Sequence, residues 1–146
     1  MYEMTMAGYP GAVASGDATN CIIENCCYGL RQSHLGAKLN KTTRTYNIVS
    51  NHRKRILHSR DGYPSRWNDK TVQLFNEFIM CLKDGDTLAD IPFELYERDS
   101  NGGIVVIKYK GAWILVDNGY LKWSVTIPPI KYSSMHSITV ALALGI

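Results

Sequence analysis

The chain has 146 residues, of which 45% are hydrophobic and 20% are charged, and its formal net charge is +3. This composition is ordinary for one globular domain and excludes a chain that is disordered for lack of apolar residues. The apolar run at residues 138–144 is far shorter than the roughly 20 residues that a membrane span requires. We therefore expect a soluble protein with no membrane partner.

Positive charge is concentrated in under a third of the chain. Residues 31–70 contain ten of the sixteen Lys and Arg residues, opposed only by Asp61 and Asp69. Such an excess can neutralise the phosphates of a nucleic acid, or it can simply keep one face of a protein solvated. The ten are Arg31, Lys38, Lys41, Arg44, Arg53, Lys54, Arg55, Arg60, Arg66 and Lys70.

The cysteines give no metal-binding pattern. Cys26 and Cys27 are adjacent rather than spaced as a zinc-binding pair, and no second pair accompanies them. No basic-then-apolar signal peptide opens the sequence, so a disulfide framework is not expected. We expect all four, including Cys21 and Cys81, to be reduced intracellular thiols, most of them buried.

The N-terminal part of the sequence predicts a single strand. Residues 1–11 show no periodicity, so we expect them to be irregular. Ala12–Asp17 is expected to form a short strand of small residues that ends in a carboxylate. Residues 18–43 carry scattered polar residues and glycines, and we expect them to be mostly loop.

A basic hairpin is expected next. Thr45–Ser50 alternates β-branched or aromatic residues with polar ones, which is typical of a half-buried strand. Ile56–Ser59 has the composition of a second strand. The simplest arrangement is a hairpin that turns at Asn51–Arg55, within the basic region.

Ser65–Leu82 is the clearest helix of the sequence. Its apolar residues recur at steps of three and four, which predicts one buried face. Asn68 or Asp69 can cap its start, and Gly85 can end it in the left-handed conformation. The apolar stripe consists of Val72, Phe75, Ile79 and Leu82, widened by Leu74 and Phe78.

The last predicted elements are strands. Phe93–Glu97 and Ile104–Tyr109 flank Asp99–Gly103, whose residues tolerate positive φ, and this pattern predicts a β-hairpin. Ala112–Val116 is an apolar run that suits a strand buried on both faces. Ser124–Ile127 is expected to form one more strand, which ends at a pair of prolines.

Asp17 and Asp117 share one context, because each follows an apolar strand and has a glycine nearby. If the two strands are neighbours, the carboxylates repel each other. Two Mg²⁺ or Mn²⁺ ions can relieve this repulsion and hold the oxygens of a phosphoryl transfer. An aspartate that closes a strand can also be no more than a turn residue, and spacing alone does not decide between these readings.

Five blocks of the sequence resemble the DDE superfamily endonuclease domain of Harbinger-type transposases. The resemblance spans about residues 12–131, and its two most specific blocks are the last two. The blocks are RTYN at 44–47, NHRKRILH at 51–58, SRWNDKT at 65–71, AWILVDNGYLKW at 112–123 and IPPIK at 127–131.

This resemblance implies an RNase H-like α/β core with a mixed sheet and flanking helices. In the family the first acid closes the first strand, which is Asp17 here, although Asn20 stands where the family usually has His. The second acid closes the strand before Asn118, and it is Asp117. The resemblance thus implies Asp17 and Asp117 as catalytic residues and ligands of Mg²⁺ or Mn²⁺. Asp69 belongs to another family motif, and we interpret it as a helix cap in preference to a role that supports the catalytic site.

The resemblance also implies a DNA partner, namely transposon ends, in the nucleus. The candidate DNA-binding residues are His52, Arg53, Lys54, Arg55 and Arg66, which can approach phosphates. They can equally serve only to keep a hairpin soluble. A further copy of the chain, or a separate DNA-binding protein, is a possible partner. For Trp113 we expect packing in the core rather than contact with bases, and for Tyr120 we expect packing across the end of the strand.

The sequence leaves the family pattern after Lys131. The family places its third acid on a later helix, whereas residues 132–146 contain no Asp or Glu. We therefore divide the chain into an irregular N-terminus (1–11), a partial nuclease domain (12–131) that is incomplete at its C-terminus, and a divergent tail (132–146). Three hypotheses remain open: a divalent-metal-dependent nuclease impaired by loss of one acid, a non-catalytic DNA- or protein-binding remnant, and a degenerate reading frame without a cellular role.

Overall fold

The structure, a computed structural model, describes residues 2–36 and 40–129. Lys38 of the predicted basic region and the tail with Lys131 lie outside the described residues. Within them the fold is mixed α/β, as expected: a mixed sheet carries short helices and a separate hairpin. None of the helices in these residues is long and apolar enough to cross a membrane.

The main sheet has the strand order β3-β2-β1-β7-β8. The pairs β1–β2 and β2–β3 are antiparallel, whereas β1–β7 and β7–β8 are parallel, and β4 pairs with the start of β2. The sequence predicted most of these strands but not their order. The strands are β1 (Ala12–Ile22), β2 (Thr43–Ser50), β3 (Ile56–Ser59), β4 (Tyr63–Pro64), β7 (Trp113–Val116) and β8 (Thr126–Ile127).

The predicted basic hairpin is confirmed, since β2 and β3 pair on either side of Asn51–Arg55. The backbone amide of Asn51 donates to the Arg55 carbonyl (2.9 Å), and the Arg55 amide donates to the Asn51 side chain (2.9 Å). Lys54 takes a positive φ of 59° in this turn. The bonds fix a tight turn, so its basic side chains point into solvent.

The N-terminal region differs from the prediction in two places. Tyr2–Met6 form a short helix, α1, where we expected irregular chain. Strand β1 does not end at Asp17 but continues to Ile22, because β2 pairs with it as far as Thr43. Regular pairing thus extends five residues into the predicted loop.

The predicted helix at Ser65–Leu82 is wrong as a single element. It is divided into α2 (Asp69–Leu74) and α3 (Glu77–Asp84). The break occurs because the Asn76 side chain accepts a hydrogen bond from the Ile79 amide (3.0 Å) and caps a new helix. Phe75, expected in the buried stripe, is therefore 48% exposed.

The outer ends of these helices agree with the prediction. The Asn68 side chain accepts from the Thr71 amide (2.8 Å) and caps α2. Gly85 ends α3 with a φ of 78°.

Strands β5 (Pro92–Arg98) and β6 (Ile104–Lys110) form the second predicted hairpin, a two-stranded sheet of its own. Its base is closed where the Gly111 amide donates to the Ile91 carbonyl (2.9 Å). Toward its tip the apolar side chains Tyr96, Ile104, Val105 and Val106 are exposed.

The core lies between the main sheet and α3. It includes Ile79 and Leu82 from the helix and Ala14, Ile114 and Val116 from the two parallel strands. A smaller cluster lies around the buried Trp113, whose indole nitrogen donates to the Pro10 carbonyl (3.0 Å). Burying two apolar faces of the sheet fixes the register of β1 against β7, and that register positions the acids described below.

The cysteines are free, as predicted, but they are not buried. Cys21 and Cys27 are exposed, and Cys26 and Cys81 are partly exposed. The prediction of buried thiols fails because Cys21 lies on the unburied end of β1 and Cys27 lies in the connection beyond it.

Candidate acidic site at the end of a parallel strand pair

The structure brings Asp17 and Asp117 side by side. Gly16 pairs with Val116 across the parallel strands β1 and β7, and the two aspartates are the next residues on each chain. Neighbouring strands lie about 4.8 Å apart. Asp17 lies inside β1 rather than at its end. Strand β1 extends beyond the end of β7 and there pairs with β2 alone.

Both carboxylates are exposed and carry unneutralised charge. Each uses one oxygen locally: Asp17 accepts from the Ala18 amide and Asp117 from the Asn118 amide, both at 2.7 Å. No Lys or Arg among the described residues forms an ion pair with either. Two like charges on adjacent strands favour a bound cation.

A third carboxylate, that of Asp69, lies beside the Asp117 loop. The interpretation of Asp69 as a helix cap is wrong, because Asn68 caps α2 and Asp69 is its first residue. Its side chain lies against Gly119, where an added Cβ would stand 3.2 Å from the Asp69 Cγ. A glycine at position 119 therefore leaves the space that this carboxylate occupies.

Two buried polar side chains belong to residues near the acids, although the pairing of β1 with β2 points Asn47 to the face opposite Asp17. Asn47 is 1% exposed and Tyr120 is 3% exposed. The amide nitrogen and oxygen of Asn47 and the hydroxyl of Tyr120 have no hydrogen-bond partner in the described part of the chain. Buried polar groups are ordinarily satisfied, so these atoms mark a place for ordered water or a ligand.

The Tyr120 hydroxyl has a raised pKa, and the negative charges of the three aspartates contribute to it. Burial raises its pKa well above the ordinary 10.0, and the charges of Asp69, Asp17 and Asp117 raise it further, in that order. Asn47 lies close enough to lower this pKa slightly, but outside the geometry of a hydrogen bond. Tyr120 is therefore a protonated phenol, and it is buried in the core cluster, whereas the sequence predicted only that it packs across the strand end.

A groove of about 850 Å³ begins beside this site and follows the C-terminal half of β1. Asp69, Ala18, Arg66 and Trp67 are among the residues that line it. Trp67 stacks on Tyr63 with ring centroids 5.6 Å apart and leaves 37% of its surface exposed. The groove thus combines a carboxylate, a cation and an aromatic face.

The predicted DNA-binding residues fall into two separate places. His52, Arg53, Lys54 and Arg55 are exposed in the β2–β3 turn. That turn follows Ser50, which pairs with Ser15, so it lies toward the start of β1 relative to Asp17. Arg53 is also paired with Glu3 of α1.

Arg66 is the exception, because it lines the groove beside Asp69. Of the five predicted DNA-binding residues, Arg66 lines the same groove as Asp69, and the other four lie in the β2–β3 turn.

The fit of a metal ion is partial. Among residues 2–36 and 40–129 no three His, Cys, Asp or Glu side chains are already grouped closely enough to hold a metal ion. Two adjacent carboxylates and unpartnered buried oxygens nevertheless suit a hydrated Mg²⁺ or Mn²⁺, since Mg²⁺ keeps several waters when one or two carboxylates bind it. Asp17 and Asp117 are the side chains that would hold such an ion.

Comparison with family models, with curated proteins and with solved structures found no match for this chain. Its function must therefore be argued from its motifs and from the geometry of the site.

Sequence reasoning missed Asn47 and underrated Asp69. A signal for Asn47 was present: in the alternating strand β2 the inward positions hold Thr43, Thr45 and Asn47, all buried and all polar. A run of polar residues on the buried face of a strand indicates a hydrated or functional interior. The proximity of Asp69 to Gly119 had no local signal, because it depends on tertiary packing.

Proposed function

We propose that this chain is a nuclease domain derived from a Harbinger-type DDE transposase, acting on DNA with Mg²⁺ or Mn²⁺. The observation that carries the proposal is the juxtaposition of Asp17 and Asp117 on adjacent parallel strands. These are the two residues that the family pattern identifies as its first and second acids. The nucleus would be the place of action, and transposon ends the substrate.

The sheet supports this proposal independently of the motifs. The two aspartates are 100 positions apart, and many arrangements of the strands would keep them apart in space. Instead β7 returns parallel to β1 in the centre of a mixed sheet, which is compatible with the RNase H-like core that the resemblance implies. The coincidence of motif and geometry favours an inherited site over two unrelated turn residues.

The aspartates and Arg66 would have different roles in DNA cleavage. Asp17 and Asp117 would hold the cation, which when bound supplies positive charge to a phosphate and lowers the pKa of bound water. Arg66 would contact a phosphate along the groove, since a guanidinium can donate two parallel hydrogen bonds to it. In cleavage, a water oxygen forms a bond to phosphorus while the bond to the leaving 3′ oxygen breaks.

With Asp17 and Asp117 alone, activity is expected to be lower than in family members that use three acids. Residues 132–146, which follow the PPIK segment at 128–131, contain no Asp or Glu. With two direct carboxylate ligands rather than three, the affinity for a second cation falls.

The alternative is a DNA-binding domain without catalysis. The observation that favours it is the separation of the basic turn (His52–Arg55) from the acids along the sheet. A surface of this kind binds phosphates through counterion release and needs no metal. Asp17 and Asp117 would then have no catalytic role.

Nicking of supercoiled plasmid DNA by the purified chain, with Mn²⁺ or Mg²⁺, tests the proposal. We expect metal-dependent nicking that Asp17→Asn and Asp117→Asn abolish. Asp86→Asn is the matched control, because it removes an exposed carboxylate just past the end of α3. Nicking that survives Asp117→Asn contradicts the proposal, and salt-dependent DNA binding without any nicking supports the alternative.

A further inference from the structure

The β5–β6 hairpin exposes apolar side chains on one of its two faces. The other face points toward the main sheet, since Phe93 packs against the small cluster around Trp113. Tyr96 and Val106 pair with each other and point away from that cluster, together with Ile104. Their exposed fractions are 68%, 45% and 73%. Neighbouring apolar side chains that stay exposed in this way mark an interaction surface.

The outer edge of β5 carries backbone groups that are free to pair. At the loop end of the hairpin the Asp99 amide donates to the Gly103 carbonyl (2.9 Å). Hydrogen-bonded pairs alternate along an antiparallel ladder, so the odd-numbered residues of β5 bond to β6. The amides and carbonyls of Glu94, Tyr96 and Arg98 therefore point away from β6, and they bond to no other strand of the described residues.

The side chains along this edge form a self-complementary pattern. Glu94 and Arg98 lie two positions before and two positions after Tyr96, and all three are exposed on one face. Arg98 forms no ion pair with another described residue, and Glu94 has only a long contact of 3.9 Å with Lys108. Charges on an edge strand usually prevent pairing with another chain. Here the two charges are opposite and symmetric about Tyr96, so an antiparallel copy of the same strand neutralises both.

We propose that the chain forms a two-fold symmetric dimer in which β5 pairs antiparallel with β5 of a second copy, centred on Tyr96. Each Glu94 then lies opposite Arg98 of the other copy, and the two Tyr96 side chains lie opposite each other. In this register the three outward residues of each copy exchange backbone hydrogen bonds. The two hairpins become one continuous sheet, across which Val106 and Tyr96 of both copies form an apolar row.

The charges also select this register and this edge. A shift of two residues in either direction leaves Glu94 and Arg98 opposite uncharged residues, and in-register parallel pairing places like charges side by side. The edge of β6 has no such complementarity, because its charged residues, Lys108 and Lys110, are both positive. The surface therefore fits a second copy of this chain better than an unrelated strand. The dimer depends on neither the cation nor DNA, so it goes beyond the proposed function.

Sedimentation equilibrium of the purified full chain tests the inference. We expect the mass to rise with concentration from the 16.4 kDa of one chain toward twice that value. The paired segment is short, so we expect a dissociation constant on the order of 100 µM. Glu94→Arg and Arg98→Glu should each weaken association about 10-fold or more, because each replaces two attractive pairs with two repulsive ones. The matched control is Asp86→Arg, which reverses an exposed charge just past α3 and should associate like the wild type.

A mixture of the two single variants gives a second measurement. The Glu94→Arg chain is positive at both positions of the edge, and the Arg98→Glu chain is negative at both. Each variant repels itself, but the two are complementary to each other, so we expect them to form a heterodimer. The double variant Glu94→Arg/Arg98→Glu should regain association with itself. Formation of the heterodimer also shows that both single variants are folded.

Three results would overturn the inference. The first is a wild-type chain that stays monomeric well above about 100 µM, whether or not the hairpin binds a strand of another protein. The second is association of Glu94→Arg or Arg98→Glu that equals that of Asp86→Arg, since the dimer would then use another surface. The third is a mixture of the two single variants that stays monomeric.

Discussion

Removing the hydroxyl of Tyr120 should not destabilise the protein. The side chain is 3% exposed and packs in the core with Val116, but its oxygen has no hydrogen-bond partner in the described residues. An unpaired polar group costs about 1–3 kcal/mol when it is buried. Phenylalanine keeps the ring contacts and removes this cost, so we expect Tyr120→Phe to raise the free energy of unfolding by about 1 kcal/mol at pH 7 without metal.

The pH dependence of the free energy of unfolding gives a second expected value. The folded-state pKa of Tyr120 is raised above the ordinary 10.0, first by burial and then by the negative charge of Asp69 and its neighbours. A raised pKa gives stability that is complete below pH 10 and is lost as pH rises toward the folded value, because the unfolded chain releases its proton first. Between pH 7 and pH 11 the wild type should therefore lose about 1.4 kcal/mol more than Tyr120→Phe.

Urea unfolding at pH 7, 9, 10 and 11 measures both quantities. Tyr63, whose pKa burial also raises, is present in both proteins and cancels in the comparison. Tyr96→Phe is the matched control and should show neither effect, because Tyr96 is 68% exposed. A loss of more than about 1 kcal/mol in Tyr120→Phe at pH 7 would refute the reasoning, since it would mean that the hydroxyl is well bonded in the folded protein.

Four further variants test other parts of the structure. Asn76→Ala should lower the free energy of unfolding by about 1–2 kcal/mol in denaturant titration, because it removes a buried helix cap; a change below about 0.3 kcal/mol would contradict the division of the helix. Ile79→Ala should cost about 2–5 kcal/mol in the same assay, because Ile79 is fully buried, and a near-neutral result would place it outside the core. Lys54→Ala should reduce the salt dependence of DNA binding by about one phosphate contact. Arg53→Ala should reduce it less, because Arg53 forms an ion pair with Glu3. Equal effects of the two variants would show that DNA breaks this ion pair.

Local features of the fold could be predicted from the sequence. The alternation of Thr45–Ser50 and the Asn-Gly-Gly loop of the β5–β6 hairpin act within a few residues, so their outcome follows from the chain nearby. The cap at Asn68 and the end at Gly85 belong to the same class. The sequence did not predict the break at Asn76, because the apolar residues keep their helical spacing across it. This spacing predicts which face is buried, but it does not show that a residue inside the segment caps a new helix.

The site could be predicted only in part. The family pattern singled out Asp17 and Asp117, and the structure adds that their strands are adjacent. Asp69 could not be placed, because its neighbour Gly119 is 50 positions away and glycine carries no side chain to suggest a contact. The position of the basic turn toward the start of β1 depends on the antiparallel pairing of β2 with β1, which the sequence did not predict.

The base of the β5–β6 hairpin makes its outer part separable from the rest of the fold. The chain departs at Ile91 and returns at Gly111, and one hydrogen bond of 2.9 Å joins these two points. The distance between them therefore does not depend on how many residues lie beyond the base, and the entropic cost of a longer loop grows only slowly. The tip at Asp99–Gly103 is thus a position where peptide tags or whole domains can be inserted without shifting the register that holds Asp17 beside Asp117.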